Sequence, residues 1–183
     1  MKIFPHRHIT DFARRTMRRA SRFAAITLLL AAMSTAQSCH HLDDDRIPPA
    51  AVNISFHTMA EWNTYGVGGA LQWKRFIIDE RIPANYPYTA LTYTGFGGIL
   101  LVADAFGTPL AYDLACPYEC RRNVRVGINT ETMLAECPVC HSTYDVFSLY
   151  GHPVSGPSAD RGYGMRRYYV GPGRAGEYMN VSF

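Results

Sequence analysis

The chain reads as an all-β fold, an antiparallel sandwich or barrel, on three observations. Its apolar residues recur in short alternating runs rich in aromatic and β-branched side chains, the composition that suits a pleated, half-buried surface. Gly, Pro or Asn-Thr turns bound those runs at short intervals. No long stretch carries the periodicity of an amphipathic helix. Many short strands at such spacing favour a sandwich or barrel over a layered α/β fold.

Taken in order, strands are expected at 52–56 (VNISF), 76–78, 90–94 (ALTYT), 98–102 (GILLV) and 110–114 (LAYDL). Further strands are expected at 124–128 (VRVGI), 133–136, 144–147 (YDVF), 167–170 (RYYV) and 178–183 (YMNVSF). Each alternates or carries a compact apolar run, and each ends at a turn former. Residues 51–183 therefore form the expected domain, long enough to bury a core of its own. There are 18 Lys and Arg against 15 Asp and Glu, scattered along the chain, so nothing points to a nucleic-acid partner.

The N-terminus has a different character. Arg14, Arg15, Arg18, Arg19 and Arg22 precede an apolar stretch at 23–33, too short for a mature membrane span. Small and polar residues then lead to Ala36-Gln-Ser-Cys39. This is the order of a secretory signal, and its terminal cysteine makes it resemble a bacterial lipoprotein signal spanning 1–38, with Cys39 the lipidated first residue of the mature chain. Reading from Met17 gives the same signal in compact form, which places the expected start of translation there. Residues 39–50 (CHHLDDDRIPPA) are polar, acidic and closed by prolines, and read as a flexible tether. Acidic residues so close to the cysteine resemble the surface-export signals of Bacteroidetes lipoproteins. The expected location is thus a bacterial membrane, reached by the lipid anchor only: the outer membrane, on its periplasmic or surface face.

The chemistry concentrates in two cysteine pairs, Cys116-Pro-Tyr-Glu-Cys120 and Cys137-Pro-Val-Cys140. A short turn between two cysteines aims both sulfurs at one place, and two such turns closed on each other make a four-thiolate cage. Such a cage selects zinc or iron, alone or in an iron–sulfur cluster. The first pair carries one residue more than the usual Cys-x-x-Cys. Disulfides are the alternative, since an exported chain meets oxidising conditions and four cysteines allow three pairings.

From Gly98 onward the chain resembles Rieske domains. A strand, a turn at Phe106-Gly-Thr, then Leu110-Ala-Tyr-Asp lead into Cys116-Pro117; a hairpin leads to Cys137-Pro-Val-Cys140-His-Ser-Thr-Tyr144-Asp145; Gly151-His-Pro-Val154-Ser-Gly156-Pro157 follows, with a late strand at Tyr168-Tyr-Val170. The resemblance implies a Rieske-like antiparallel fold with a small two-loop metal-binding subdomain, its loops around 114–122 and 136–146 and the Gly-Pro segment covering them. In that family the loops supply Cys-x-His and Cys-x-x-His to a [2Fe–2S] cluster. Here Tyr118 and Cys140 stand at the two histidine positions, and His141 stands where the family has glycine. Cys116, Cys120, Cys137 and Cys140 become the expected ligands, with Tyr118, His141 and Tyr144 as neighbours that could support them.

Two functions follow as expectations. The resemblance places a [2Fe–2S] cluster narrowly first, and with it the domain is a lipid-anchored electron-transfer module serving a redox partner. With Zn2+ it is a surface domain whose ion has a structural role and whose partner is a protein, glycan or small molecule. No catalytic constellation can be specified, so a stand-alone enzyme is not expected.

Overall fold

The computed structural model describes residues 42–183. The expected signal at 1–38, the lipidation site Cys39 and the histidines His40 and His41 lie outside the described residues.

The domain is all-β, and its larger sheet curls into a nearly closed antiparallel barrel. The strands are β1 (Val52–Phe56), β2 (Trp73–Phe76), β3 (Tyr93–Thr94), β4 (Ile99–Ala103), β5 (Pro109–Asp113), β6 (Gly127–Asn129), β7 (Leu134–Glu136), β8 (Thr143–Asp145), β9 (His152–Ser155), β10 (Arg167–Pro172) and β11 (Met179–Ser182). Seven of them form one sheet in the order β2-β4-β5-β10-β11-β1-β3, and four form a second in the order β6-β7-β8-β9.

Strand β4 explains how the two sheets share one body. All five of its residues are buried. Ile99, Leu101 and Ala103 face a core inside the larger sheet with Phe56, Trp62, Phe76, Tyr86 and Val181. Leu100 and Val102 face a second core with Tyr112, Leu114, Val124, Val126, Tyr144 and Phe147. A strand covered on both faces reads as a continuous apolar run, which is why GILLV lacks the alternation of its neighbours.

Several elements differ from expectation for local reasons. The run 90–94 pairs only over Tyr93–Thr94, because Thr89 and Thr92 turn the chain before it: the Thr92 N–H donates to the Thr89 carbonyl at 3.1 Å, and the Thr89 N–H to Thr92 Oγ1 at 3.1 Å. Val124 and Val126 fill the second core, and the chain joins the small sheet only at Gly127. A helix, α1 (Met59–Tyr65), opens on Thr58, whose side chain accepts from the Glu61 N–H, while Glu61 Oε2 accepts from the His57 N–H at 2.6 Å. A second helix, α2 (Pro157–Arg161), starts at Gly156-Pro157 and stops at Gly162 in the left-handed region.

The expected tether is docked on the domain over its described part. Asp43 bridges Tyr163, donating from its N–H to the Gly162 carbonyl at 2.8 Å and accepting from the Gly164 N–H at 2.9 Å. Ile47 is fully buried. The buried Arg166 guanidinium donates to the Ile47 carbonyl at 2.7 Å and pairs with the Asp45 carboxylate at 3.0 Å. One apolar side chain in a polar run, and one arginine needing acceptors, hold this strap in place. Ile47→Ala should lower the unfolding free energy by about 2–5 kcal/mol, as buried Ile-to-Ala changes do; a urea titration indistinguishable from wild type would show instead that residues 42–50 are a free tether in solution.

Candidate metal centre

Two loops carry the described cysteines, and they are built alike. In the first, the Cys116 N–H donates to the Val124 carbonyl at 2.9 Å, and the Cys120 N–H returns to the Cys116 carbonyl at 2.8 Å. In the second, the Cys137 N–H donates to the Ser142 carbonyl at 3.0 Å, and the His141 N–H returns to the Cys137 carbonyl at 3.1 Å. Each returning residue lies in the left-handed region, Cys120 at φ 51° and His141 at φ 55°. A proline follows the first cysteine of each loop, where its fixed φ suits the turn. The amide of Glu119 points at the Cys116 sulfur, and the amides of Val139 and Cys140 point at the Cys137 sulfur. The loops therefore match position for position: Cys116 with Cys137, Tyr118 with Val139, Glu119 with Cys140, and Cys120 with His141.

Three sulfurs meet. Those of Cys116, Cys137 and Cys140 all lie within 4.8 Å of one another, with Cys116 and Cys140 3.6 Å apart. Cys116 and Cys137 are fully buried and Cys140 partly so. All four described cysteines are free thiols, so none of the disulfide pairings is present. Around a single ion at about 2.3 Å, tetrahedrally placed sulfurs stand roughly 3.8 Å apart. These three cysteines can hold a metal ion.

Cys120, expected as the fourth ligand, is not in this group. Its sulfur contacts the Arg46 carbonyl at 3.2 Å. The extra residue in the first pair moves Cys120 one place beyond the ligand position, onto the left-handed residue that turns the chain back. His141 occupies the same position in the second loop; its side chain is 74% exposed and directed at Glu136, 3.5 Å away, so it does not support the sulfurs. Tyr118 packs at the edge of the second core beneath the Arg161 guanidinium. Of the three expected neighbours only Tyr144 is in place: its hydroxyl lies 3.4 Å from Cys116 Sγ and 2.6 Å from Ser158 Oγ.

Ser142 and Ser158 were not singled out by the sequence, yet both bear on the site. Ser142 Oγ is 3.2 Å from Cys140 Sγ and accepts from the Ser158 N–H at 3.0 Å. Gly156 allows this approach, because a Cβ there would come within 2.9 Å of the Ser142 Cα. The arginines after Cys120 serve the scaffold. Arg121 pairs with Glu119 at 3.1 Å, Arg122 donates to the Phe96 carbonyl at 2.8 Å, and Arg125 bonds the Gly97 carbonyl and Glu80.

Burial pushes the Cys116 thiol up to about 12, with the Tyr144 hydroxyl opposing it. Burial raises Cys137 as well. At Cys140 burial acts in the same direction, but the Ser142 hydroxyl and amide, with the two neighbouring sulfurs, outweigh it and leave that thiol lowered. Burial keeps the Tyr144 phenol protonated, hence a donor.

Compared with protein-family models, with curated proteins and with solved structures, the chain matches none. Among the described residues no helix is long and apolar enough to cross a membrane.

Since Cys116 and Cys137 hold their protons at neutral pH, a divalent ion must displace at least those two protons, and its affinity should rise about a hundredfold or more per pH unit there. The sign is toward tighter binding at higher pH, levelling only as the two thiols ionise unaided. Chelator competition across pH measures this, and a pH-independent affinity would contradict it.

Proposed function

We propose that the domain binds one metal ion through Cys116, Cys137 and Cys140, zinc being the ion such a set favours in an exported chain, and that it works as a metal-binding surface lipoprotein domain. The observation that carries this is the spacing of the sulfurs. All three lie within 4.8 Å of one another, with one pair at 3.6 Å, a grouping that suits one ion, whereas a [2Fe–2S] cluster distributes its ligands over two irons. Zinc has no redox chemistry, so the ion would tie the two loops together and present their rim.

A second reading keeps the [2Fe–2S] electron carrier, and a specific feature favours it. Two matched loops project beside a small antiparallel sheet, Tyr144 and Ser142 contact their sulfurs, and α2 begins at the covering Gly156-Pro157. That arrangement resembles a Rieske domain. Metal analysis of the full chain, purified anaerobically in detergent from a host that exports it, separates the two. One zinc per chain in colourless protein is expected. Two irons with two sulfides in brown protein, paramagnetic on one-electron reduction, would overturn the zinc assignment in favour of electron transfer.

Attachment is through Cys39, supported by the signal order and by Ala36-Gln-Ser-Cys39. With the strap docked from Asp43 onward, few residues separate lipid from domain, and a chain advances at most about 3.6 Å per residue. The domain would then sit close to the membrane. Cys39→Ser should move the protein from the membrane to the soluble fraction; a variant that still sediments with membranes would exclude Cys39 as the anchor.

A further inference from the structure

We infer that the metal centre has an open fourth position at the rim of the first loop, and that this position takes a small neutral nitrogen donor, of which imidazole is the type. The inference rests on the single-ion reading above. It follows from the match between the loops. In the second loop the ligand after Cys137 comes from the third residue on, Cys140. The same place in the first loop is Glu119, whose carboxylate is turned to Arg121 at 3.1 Å and does not join the sulfur group.

Nor does Cys120 fill the gap: its sulfur faces the Arg46 carbonyl at 3.2 Å. It sits at φ 51°, and its N–H closes the turn on the Cys116 carbonyl at 2.8 Å. His141, at the equivalent place, also points away from the sulfurs and toward Glu136. The remaining oxygens nearby are committed. The Tyr144 hydroxyl is held between Cys116 Sγ and Ser158 Oγ, and Ser142 Oγ is shared by the Ser158 N–H and Cys140 Sγ. Among the described residues no other His, Asp or Glu approaches all three sulfurs.

Access and charge define the ligand. Cys116 and Pro117 are buried, but Tyr118, Glu119 and Cys120 are half-buried and Arg121, Arg122 and Asn123 are exposed, so this end of the first loop borders the surface. Three thiolates on a divalent ion already leave one net negative charge. A fourth anionic ligand would make it two in a partly desolvated place, where Arg121 is already paired with Glu119. A neutral nitrogen leaves the charge as it is. Sites with three protein ligands and one open corner are those that exchange ligands, whereas closed four-ligand sites only hold structure.

Cobalt(II) loaded into the full chain in detergent tests this, because thiolate-to-cobalt charge-transfer absorbance counts the sulfurs. Cys120→Ser should leave that absorbance unchanged, and Cys140→Ser should lower it by about a third, one ligand in three. Added imidazole should shift the ligand-field bands saturably, and thiocyanate should do so far more weakly. Glu119→Cys should raise the charge-transfer absorbance by about a third and abolish the imidazole response. Loss of absorbance in Cys120→Ser, or bands indifferent to imidazole, would overturn the open position. So would bands that change only in the His40→Ala/His41→Ala double variant, since the fourth ligand would then come from the chain itself. Absence of any charge-transfer absorbance would instead remove the single-ion reading, and this inference with it.

Discussion

Asp113 has no exposed surface, and four donors converge on its carboxylate: the amides of Phe96, Gly97 and Ala115 and the hydroxyl of Tyr168, at 2.8 to 2.9 Å. Burial pushes the carboxyl up, and those donors oppose the rise by favouring the charged form. Without the carboxylate, two unpaired buried donors alone would cost about 2–6 kcal/mol, a large part of the about 5–15 kcal/mol by which a small domain is stable. The constraint is also positional. Asp113 ends β5, Ala115 lies two residues on, and Cys116 is next. A Cβ on Gly97 would come within 2.6 Å of the Ala115 nitrogen, so the 96–98 turn can approach only as glycine. The first cysteine loop thus takes its origin from a buried charge in the larger sheet.

From that origin the cysteine cluster grows inward. Cys116 and Cys137 belong to the same apolar core as Leu100, Val102, Tyr112 and Val146, so the sulfurs lie where the two sheets meet. The core positions the first sulfur of each loop through side chains buried for their own reasons. The small sheet positions the rest, since β7 leads into Cys137 and β8 leaves from Thr143. An ion there would be coupled to folding, because ligands drawn from both loops come together only in the folded chain.

Much of this was legible in the sequence. VNISF became β1 over the expected residues, because its alternation places Val52, Ile54 and Phe56 inward and asparagine and serine outward. The larger sheet's other long strands moved by a residue or two, except β2, which runs Trp73–Phe76 and shares only Phe76 with the expected 76–78, because Ile78–Glu80 forms a 3-10 turn. What escaped was short or local. α1 announces itself by Thr58 and Glu61, a capping pair that period-counting passes over. β9 is His-Pro-Val-Ser at the edge of the small sheet, with no apolar face to give it a pattern. At the site, the cysteine types were readable but not their phase. The one-residue difference between the two pairs was visible in the spacing, and its consequence was a left-handed residue at position 120, which spacing alone does not reveal.

An ion also resolves a tension that the geometry creates. Cys116 and Cys140 lie 3.6 Å apart, close enough that thiols in an oxidising compartment would tend toward a bond of about 2.05 Å. Such a bond would close a loop between residues 24 positions apart, worth about 3–4 kcal/mol through the unfolded chain. It would fix two of the three sulfurs and leave Cys137 buried beside them with no partner. A thiolate-bound metal ion would engage all three, and structural zinc contributes about 10 kcal/mol or more in small zinc domains. It also ties up the thiolates that oxidation requires. The burial that makes Cys116 and Cys137 reluctant to ionise slows their oxidation, since a protonated thiol is a poor nucleophile, while a bound ion would displace their protons into solvent. A site with these sulfurs in these positions is better suited to an ion than to a disulfide.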